Sequence, residues 1–288
     1  MKPGFSLLPE ARLRSLSCIL LVATLGAIVA DKAPAADVLP CARFAHEDLP
    51  QPYPRGDSHG IDRLEQINQA VKDTPYSTLF FGNSLTDGWA TVIWERSLAP
   101  RRVLNAGVSG DYTETLLWRL EHGNLAGPTP RAMVLLIGTN DLAAGRSPEL
   151  TADGIRANLD LFRRRVPNTT ILLLGLLPRE ATPDAPLRRA VTQVNRLIRH
   201  CADGEHIVFA EIGDALLDSE GRLETALSPD RLHFTERGYA LLTSRFVPLL
   251  DGVLAPSIAL SPSPGRREYE PRRRGGPRVA PAAPRQGS

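Results

Sequence analysis

The sequence has no apolar run long enough for a permanent membrane anchor, only three cysteines, few aromatic residues and no internal repeat. Its longest apolar run, LSCILLVATLGAIVA, ends at Ala30 and is shorter than the roughly 20 residues that a membrane-spanning helix needs. A basic stretch precedes this run and small residues follow it. Residues 1–30 are therefore predicted to be a cleaved secretory signal, which favours a periplasmic or secreted protein over one anchored by an uncleaved signal.

The net charge is also small, at +2, and it is unevenly distributed. The tail, residues 261–288, has seven arginines against two glutamates and is rich in proline and glycine, a composition that predicts disorder. The body of the chain is consequently acidic, which argues against nucleic acid as the main partner. The arginines of the tail suit at most a weak contact with an anionic surface.

The three cysteines allow at most one disulfide and one cysteine-containing metal site to be considered. Removal of the signal would remove Cys18 and leave Cys41 and Cys201. Export permits a disulfide between them, but the sequence does not give their separation, so the pairing stays open. His200, Cys201 and His206 lie close together in the sequence, but their spacing fits no usual zinc site. We therefore predict no metal and no other cofactor.

From residue 77 onward, short apolar runs alternate with helical patterns. Each run has four to six residues and is apolar nearly throughout, as in strands buried on both faces of a parallel sheet. The predicted strands are 78–81, 103–106, 132–137, 170–174 and 206–210, and the predicted helices are 85–97, 113–121, 149–166, 186–201 and 235–250. This alternation predicts an α/β fold, a three-layer αβα sandwich over residues 77–252. Residues 31–76 are a proline-rich extension with one helix near 61–72.

Two serines compete for a catalytic role. In STLFFGNSLTDGW, Ser84 directly follows an apolar strand and opens a helix, and in PRGDSHG, Ser58 follows a proline-studded loop. In parallel α/β sheets the active site lies at the carboxyl ends of the strands, where a helix start also offers free N–H groups. Ser84 is therefore the predicted nucleophile, and the Arg-Gly-Asp triplet beside Ser58 is interpreted as chance.

Three later segments bring further polar residues to the same rim. VLNAGVSGD places Gly107 after the second predicted strand, VLLIGTNDL places Asn140 after the third, and SPDRLHFTERGY places Asp230 and His233 before the last helix. Each alone also suits a turn or a helix cap, and the prediction rests on their joint placement. His233 is the predicted base and Asp230 the carboxylate that orients it. The predicted oxyanion donors are the N–H groups of Ser84 and Gly107 and the side-chain amide of Asn140.

The order of these segments resembles the SGNH (GDSL-type) hydrolase superfamily, and within it the family of platelet-activating factor acetylhydrolase catalytic subunits. The segments that carry the resemblance are LNAGVSGDYTETLLWRLEHG, VLLIGTND, ILLLGLLPR and HFTERGYALL. The resemblance implies a flavodoxin-like five-stranded parallel sheet and metal-independent ester hydrolysis. It places Ser84, Gly107, Asn140 and His233 at the four positions that name the superfamily, with Asp230 in its Asp-x-x-His block.

The chain departs from the family pattern at the opening block. It reads Gly82-Asn83-Ser84-Leu85, where the family usually has Gly-Asp-Ser-Leu. Asparagine keeps the shape and the hydrogen-bonding reach of aspartate but removes one negative charge. Because the nucleophile, the base and the donors are unchanged, we expect activity to survive.

The function predicted from the sequence is an exported serine esterase that cleaves short-chain, acetyl-like esters through an acyl-enzyme on Ser84. Leu85 and Leu232 adjoin the serine and the histidine and are expected to crowd the acyl side, unless both point into the core. The alternatives are a thioesterase or lysophospholipase with the same triad, and a non-catalytic domain that binds an acylated glycan. The small acyl ester could be a glycan, a lipid or a small molecule. Arg179 could contact an anionic leaving group, although an ordinary surface arginine is the simpler interpretation.

Overall fold

The computed structural model of the chain describes residues 39–45 and 48–255. The predicted secretory signal (1–30) and the predicted arginine-rich tail (261–288) lie outside the described residues. Export, tail disorder and contact of the tail with an anionic surface therefore remain predictions.

A five-stranded parallel sheet forms the centre of the fold. Its strands are β1 (Thr78–Gly82), β2 (Val103–Gly107), β3 (Ala132–Leu136), β4 (Thr170–Leu174) and β5 (Ile207–Ala210), in the order β2-β1-β3-β4-β5. This is the flavodoxin-like order, so the predicted fold class is confirmed. Gly82 is in register with Gly107 of β2 and with Leu136 of β3. The loops that follow these three strands consequently leave the sheet at one edge and at one level.

Helices cover both faces of the sheet. They are α1 (Ser58–Asp73), α2 (Ser84–Asp87), α3 (Thr91–Ser97), α4 (Thr113–Arg119), α5 (Thr139–Ala143), α6 (Pro148–Arg165), α7 (Pro186–Ile198) and α8 (Glu236–Leu254). Because side chains alternate along a strand, Leu79 and Phe81 face an apolar cluster shared with α1, α4, α6 and α7. Phe80 faces the opposite cluster, where its ring lies 5.2 Å from that of Phe246 in α8. The two clusters make the three-layer sandwich.

The helix after β1 differs from its prediction. Instead of one helix over residues 85–97, the chain forms α2 and α3 with a break between them. The break begins at Gly88, whose N–H closes α2 on Ser84 O at 2.9 Å. Trp89 then turns inward, and its indole N–H donates to Thr243 Oγ1 of α8 at 3.2 Å. Because this indole is buried, the chain changes direction at the break. The helix α2 is therefore only a single turn, which begins at Ser84.

The N-terminal helix begins three residues earlier than predicted. Asp57 is its N-cap, and the Asp57 carboxylate accepts the Gly60 N–H at 2.9 Å. Arg55 pairs with this carboxylate at 2.6 Å. The Arg-Gly-Asp triplet that the sequence left without a role thus starts α1, while Ser58 occupies its first position.

Cys41 and Cys201 form a disulfide, which answers the question that the sequence left open. The bond ties the segment 39–45 to the short turn that follows α7, 160 residues away. In the same segment the N–H groups of Phe44 and Ala45 donate to the buried carboxylate of Asp153 in α6, at 3.0 and 2.9 Å. Among the helices described here, none has the length and hydrophobicity that crossing a bilayer requires.

Candidate active site

Ser84 lies at the carboxyl edge of the sheet as the first residue of α2. Asn83 caps this helix, because its Oδ1 accepts the Leu85 N–H at 3.1 Å. The Ser84 N–H makes no hydrogen bond within residues 39–45 and 48–255. A hydroxyl and a free backbone N–H of one residue therefore face the space above β1, as an acyl-transfer site requires.

His233 links Ser84 to Asp230 through its two ring nitrogens. Nε2 lies 3.0 Å from Ser84 Oγ, and Nδ1 lies 2.7 Å from Asp230 Oδ2. Nδ1 is consequently the protonated nitrogen that donates to the carboxylate, which leaves the Nε2 lone pair to accept the serine proton. The three residues that sequence reasoning selected are thus joined in one hydrogen-bonded chain.

The Asp230 carboxylate is fixed in position by its own loop. Its Oδ1 accepts the N–H groups of Leu232 and His233, at 3.0 and 2.7 Å. Desolvation raises the pKa of Asp230, but the hydrogen bonds from the His233 ring and from these two N–H groups outweigh it, and the pKa lies below its ordinary value. The carboxylate is therefore ionised at neutral pH, as the orienter of a histidine base must be.

Asn140 approaches the same edge from the loop after β3. It lies in the short helix α5, entered through Gly138 with a left-handed φ of 122°. One N–H of its side-chain amide donates to Asp111 O at 2.9 Å. Because an amide nitrogen carries two hydrogens, the second remains available to a ligand while the first fixes the orientation of the group.

The prediction for Gly107 requires correction. Its N–H donates to Asn105 Oδ1 at 2.9 Å and is therefore engaged within the protein. A Cβ at this position would lie 2.3 Å from the backbone nitrogen of Asp87, so glycine is needed here for the close approach of α2 to β2. The residue has a packing role, which the sequence pattern alone does not distinguish from an oxyanion role.

Sequence reasoning missed Gly110, three residues further on. Gly110 has a left-handed φ of 86°, and its N–H has no hydrogen-bond acceptor in the described chain. Its neighbours connect it to the site on both sides: Ser109 bonds to Asp87 in α2, and Asp111 O accepts the Asn140 amide. The signal in the sequence is the Gly-Asp pair that ends VLNAGVSGD.

The loop after β2 is attached to α2 through Asp87. The Asp87 carboxylate accepts the Ser109 N–H at 3.1 Å and the Ser109 hydroxyl at 2.6 Å. It also contacts His59 Nε2 at 3.0 Å and pairs with Arg63 at 3.2 Å. Desolvation raises the pKa of Asp87, but these donors lower it by more, so it lies below its ordinary value.

The family comparison agrees with this geometry. Residues 80–241, from β1 into α8, match the model of the GDSL-like lipase/acylhydrolase family. The chain belongs to this family. It is accordingly a hydrolase of carboxylic esters, as predicted.

The chain is also similar to two acetylhydrolase subunits and to a protein of known structure. The chain is 33% identical to platelet-activating factor acetylhydrolase IB subunit alpha1 of Homo sapiens, over 71% of this chain and 90% of that protein. It is 34% identical to the alpha2 subunit of Rattus norvegicus, over 66% and 84%. A GDSL-like lipase from Bacteroides thetaiotaomicron has the same fold, with a TM-score of 0.53 at 21% identity, over 67% of this chain and 98% of that one.

The family's usual aspartate before the serine is Asn83 in this chain. Asn83 is buried, and its Nδ2 has no partner in the described residues, although its Oδ1 caps α2. Asn83 thus supplies a capping oxygen for α2, while its buried N–H₂ group is left unsatisfied. None of the bonds among Ser84, His233 and Asp230 involves this position.

A cluster of charged residues, mostly buried, holds α5, the helix that carries Asn140. The adjacent Asp141 accepts Thr113 Oγ1 at 2.7 Å and pairs with Arg146 at 2.7 Å. Arg146 also bonds Glu114 at 2.6 Å. Burial raises the pKa of Asp141 to about 6, against the opposing effect of these donors. The cluster joins α4 to α5 and so holds the helix that carries the Asn140 amide.

The two leucines expected on the acyl side have different environments. Leu85 is buried in the apolar cluster under α3 and α8. The alternative stated for it, a core side chain, is therefore correct. Leu232 is only partly buried and packs at the edge of the same cluster. Of the two, Leu232 alone remains a candidate for contact with an acyl group.

Proposed function

We propose that the chain is a metal-independent serine esterase that hydrolyses short-chain, acetyl-like carboxylic esters. The observation that carries the proposal is the hydrogen-bonded chain from Ser84 Oγ through His233 to Asp230, with contacts of 3.0 and 2.7 Å. A nucleophile, a base and an orienting carboxylate already supply the proton transfers of acyl transfer, so the mechanism requires no cofactor.

In the first half-reaction Ser84 Oγ attacks the ester carbonyl carbon while its proton passes to His233 Nε2. The carbonyl oxygen becomes an oxyanion, and Asp230 stabilises the imidazolium that forms. The C–O bond to the alcohol then breaks, and His233 gives its proton to the departing alkoxide. The products are a free alcohol and an acyl group covalently bound to Ser84.

The second half-reaction uses the same groups on water. His233 Nε2 takes a proton from water as the water oxygen attacks the acyl-serine. When the new tetrahedral intermediate collapses, Ser84 Oγ leaves and regains the proton from His233. The carboxylic acid is released, and the enzyme returns to its starting state.

We assign the oxyanion to the N–H groups of Ser84 and Gly110 and to the second N–H of the Asn140 amide. Gly110 replaces Gly107 because the Gly107 N–H already donates to Asn105. The Asp111 carbonyl, next to Gly110, accepts the Asn140 amide, which keeps these two proposed donors side by side. Three fixed donors stabilise the oxyanion more than they stabilise the ground-state carbonyl.

The short acyl group is supported by the acetylhydrolases among the relatives and by partly buried Leu232 beside the base. If the acyl side is narrow, kcat/KM falls as the chain lengthens from acetate to octanoate. Equal or rising kcat/KM along that series contradicts a short-chain preference. Acetyl thioester and lysophospholipid substrates, added to the same panel, test the thioesterase and lysophospholipase alternatives.

Export is part of the same proposal. The disulfide between Cys41 and Cys201 supports it, since disulfides persist mainly in oxidising compartments, and the apolar run ending at Ala30 is a suitable signal. Expression of the full chain in a bacterial host, followed by fractionation, should give processed protein outside the cytoplasm without free thiols. Unprocessed cytoplasmic protein with Cys41 and Cys201 reduced contradicts export.

The proposed activity is tested with purified protein and 4-nitrophenyl acetate. We expect hydrolysis that a chelator leaves unchanged and that Ser84→Ala abolishes. Ser58→Ala is the matched control, since it removes the rival serine from the start of α1, and it should retain the wild-type rate. Loss of activity in Ser58→Ala with retention in Ser84→Ala overturns the assignment.

A further inference from the structure

Arg179 stands beside the loop that carries Asn140. It follows β4, and its Nη1 donates to Thr139 O at 3.0 Å and to Thr139 Oγ1 at 3.2 Å. Thr139 immediately precedes Asn140 in α5. One nitrogen of the guanidinium therefore fixes the side chain against α5 and leaves the other end of the group for a different partner.

The loop that carries Asp230 and His233 lies next to the backbone that carries Arg179. Asp230 acts electrostatically on the guanidinium, and the neighbouring Glu180 N–H donates to Arg231 O at 2.9 Å. Glu180 and Arg231 both have left-handed backbones, with φ of 60° and 62°. Such conformations are costly for residues other than glycine and concentrate at functional sites. Arg179 thus lies where the loops of Asn140 and of Asp230 meet.

The backbone beneath Arg179 is held from the core side by a second arginine. Arg188, only 4% exposed, donates from Nε to Arg179 O at 2.7 Å and from Nη2 to Glu180 O at 2.6 Å. The Glu180 carboxylate in turn accepts the Leu187 N–H at the start of α7. Arg179 therefore projects from a rigid loop, and little entropy is lost when its side chain binds a ligand.

The charge of Arg179 is only partly balanced by the protein. In the described part of the chain it forms no ion pair with a carboxylate, and its Nε is buried without a hydrogen-bond partner. Desolvation lowers its pKa, although Glu180 and Asp230 act in the opposite direction. A half-buried cation that no carboxylate contacts directly is unfavourable, and binding of an anion relieves this cost.

We propose that Arg179 is a specificity-determining residue that binds an oxyanion, a carboxylate or a phosphate, on the alcohol half of the ester. The planar guanidinium matches the geometry of both groups. The alcohol half is favoured because His233 protonates the departing alkoxide, and the loop of His233 is the one that Arg179 adjoins. This inference rests on the proposed esterase function and adds a preference among its substrates.

The test compares 4-acetoxybenzoate with its methyl ester, which has the same ring and acyl group but no charge. The ratio of kcat/KM for the two is measured in the wild-type protein and in Arg179→Gln. Because both proteins act on the same two leaving groups, intrinsic reactivity cancels between them. We expect the ratio to fall about tenfold to a hundredfold in the variant, the loss typical of a charge-assisted hydrogen bond.

Two further variants separate recognition from general disturbance. Arg179→Lys keeps the positive charge but lacks the planar pair of N–H donors of the guanidinium. Its ratio of kcat/KM for the charged and neutral esters should therefore lie between those of the wild-type protein and Arg179→Gln. Arg196→Gln, an exposed arginine of α7, changes the net charge equally and should leave the ratio unchanged. Added salt should reduce the wild-type ratio and have little effect on that of Arg179→Gln. The same comparison with 4-acetoxyphenyl phosphate shows which oxyanion is preferred.

The outcomes distinguish this inference from the function on which it rests. If Arg179→Gln lowers kcat/KM equally for charged and neutral esters, the residue only supports Thr139, and the inference is overturned while the esterase assignment stands. If Arg196→Gln lowers the ratio as much as Arg179→Gln, the effect is one of net charge, which also overturns it. If the wild-type protein hydrolyses neither ester, the proposed function fails and the inference fails with it.

Discussion

Asp87 accepts two hydrogen bonds from Ser109, one from its N–H and one from its hydroxyl. Asp87 is the last residue of the turn that begins at Ser84, and Ser109 is the residue before Gly110. One carboxylate therefore connects the helix of the proposed nucleophile to the loop of a proposed oxyanion donor. Asp87 is a positioning residue, because it acts through these two elements rather than on the ester.

Replacement of Asp87 by asparagine should lower kcat with little change in KM. The amide cannot accept all of the bonds that the carboxylate accepts, so the loop of Gly110 loosens relative to Ser84, and a misplacement of about 1 Å costs about 10²-fold in rate. Steady-state kinetics with 4-nitrophenyl acetate check this. Asp62→Asn, on the exposed face of α1, is the matched control, and an equal loss in both variants contradicts the positioning role.

The stability of the same variant should depend on pH in a defined direction. The folded-state pKa of Asp87 lies below its ordinary value of 3.8. The stabilisation from its ionised form is therefore complete above that value and is lost as the pH falls through the folded-state pKa. Asp87→Asn lacks this contribution, so its deficit in unfolding free energy should be constant near neutral pH and should shrink below about pH 4. Denaturant unfolding of both proteins between neutral pH and below pH 4 measures this deficit. A deficit that grows as the pH falls contradicts a lowered folded-state pKa for Asp87.

Asn140→Ala should reduce kcat by about 10²–10³-fold, the usual effect of removing one oxyanion donor. Its KM should change little, because the donor is used mainly in the transition state. Asn168→Ala, an exposed asparagine before β4, should retain wild-type kinetics. A loss that appears only in KM shows instead that Asn140 contributes to ground-state binding.

The disulfide should stabilise the fold without affecting the chemistry. The Cys41–Cys201 bond closes a loop of 160 residues. A native disulfide of this kind is expected to contribute about 2–5 kcal/mol to the free energy of unfolding. Paired replacement of both cysteines by serine should lower the free energy of unfolding by this amount and leave kcat near its wild-type value. Denaturant unfolding and the ester assay, run on the same preparations, check both parts. A fall in kcat without a loss of stability contradicts this separation.

The strands were predictable because each is a short, largely apolar run, and the three central strands are buried along nearly their whole length. Residues 170–174 were predicted as they are observed, and the strands before and after differ by one residue at an end. The break at Gly88 and the short helix α5 were missed. The first accompanies the burial of Trp89 against α8, and the second the hydrogen bond from Thr113 of α4 to Asp141; both are tertiary contacts that periodicity does not encode.

The proposed triad was predictable for a similar reason, since Ser84 and His233 occupy recognisable positions relative to a strand and a helix. The choice between Gly107 and Gly110 was not. Gly107 ends β2 and Gly110 lies three residues further on, and only the hydrogen bond from the Gly107 N–H to Asn105 shows that this N–H is engaged. The same is true of Leu85, whose burial follows from the packing of α2 on the sheet.

The central claim, that Ser84 is a nucleophile activated by His233, is tested most directly by covalent labelling. A 4-nitrophenyl alkylphosphonate mimics the tetrahedral intermediate, and peptide mass spectrometry locates the serine that it modifies. We predict one adduct, on Ser84, formed in step with loss of esterase activity and formed far more slowly in His233→Ala. An adduct on another serine that abolishes activity, or labelling of Ser84 at an undiminished rate in His233→Ala, contradicts the claim.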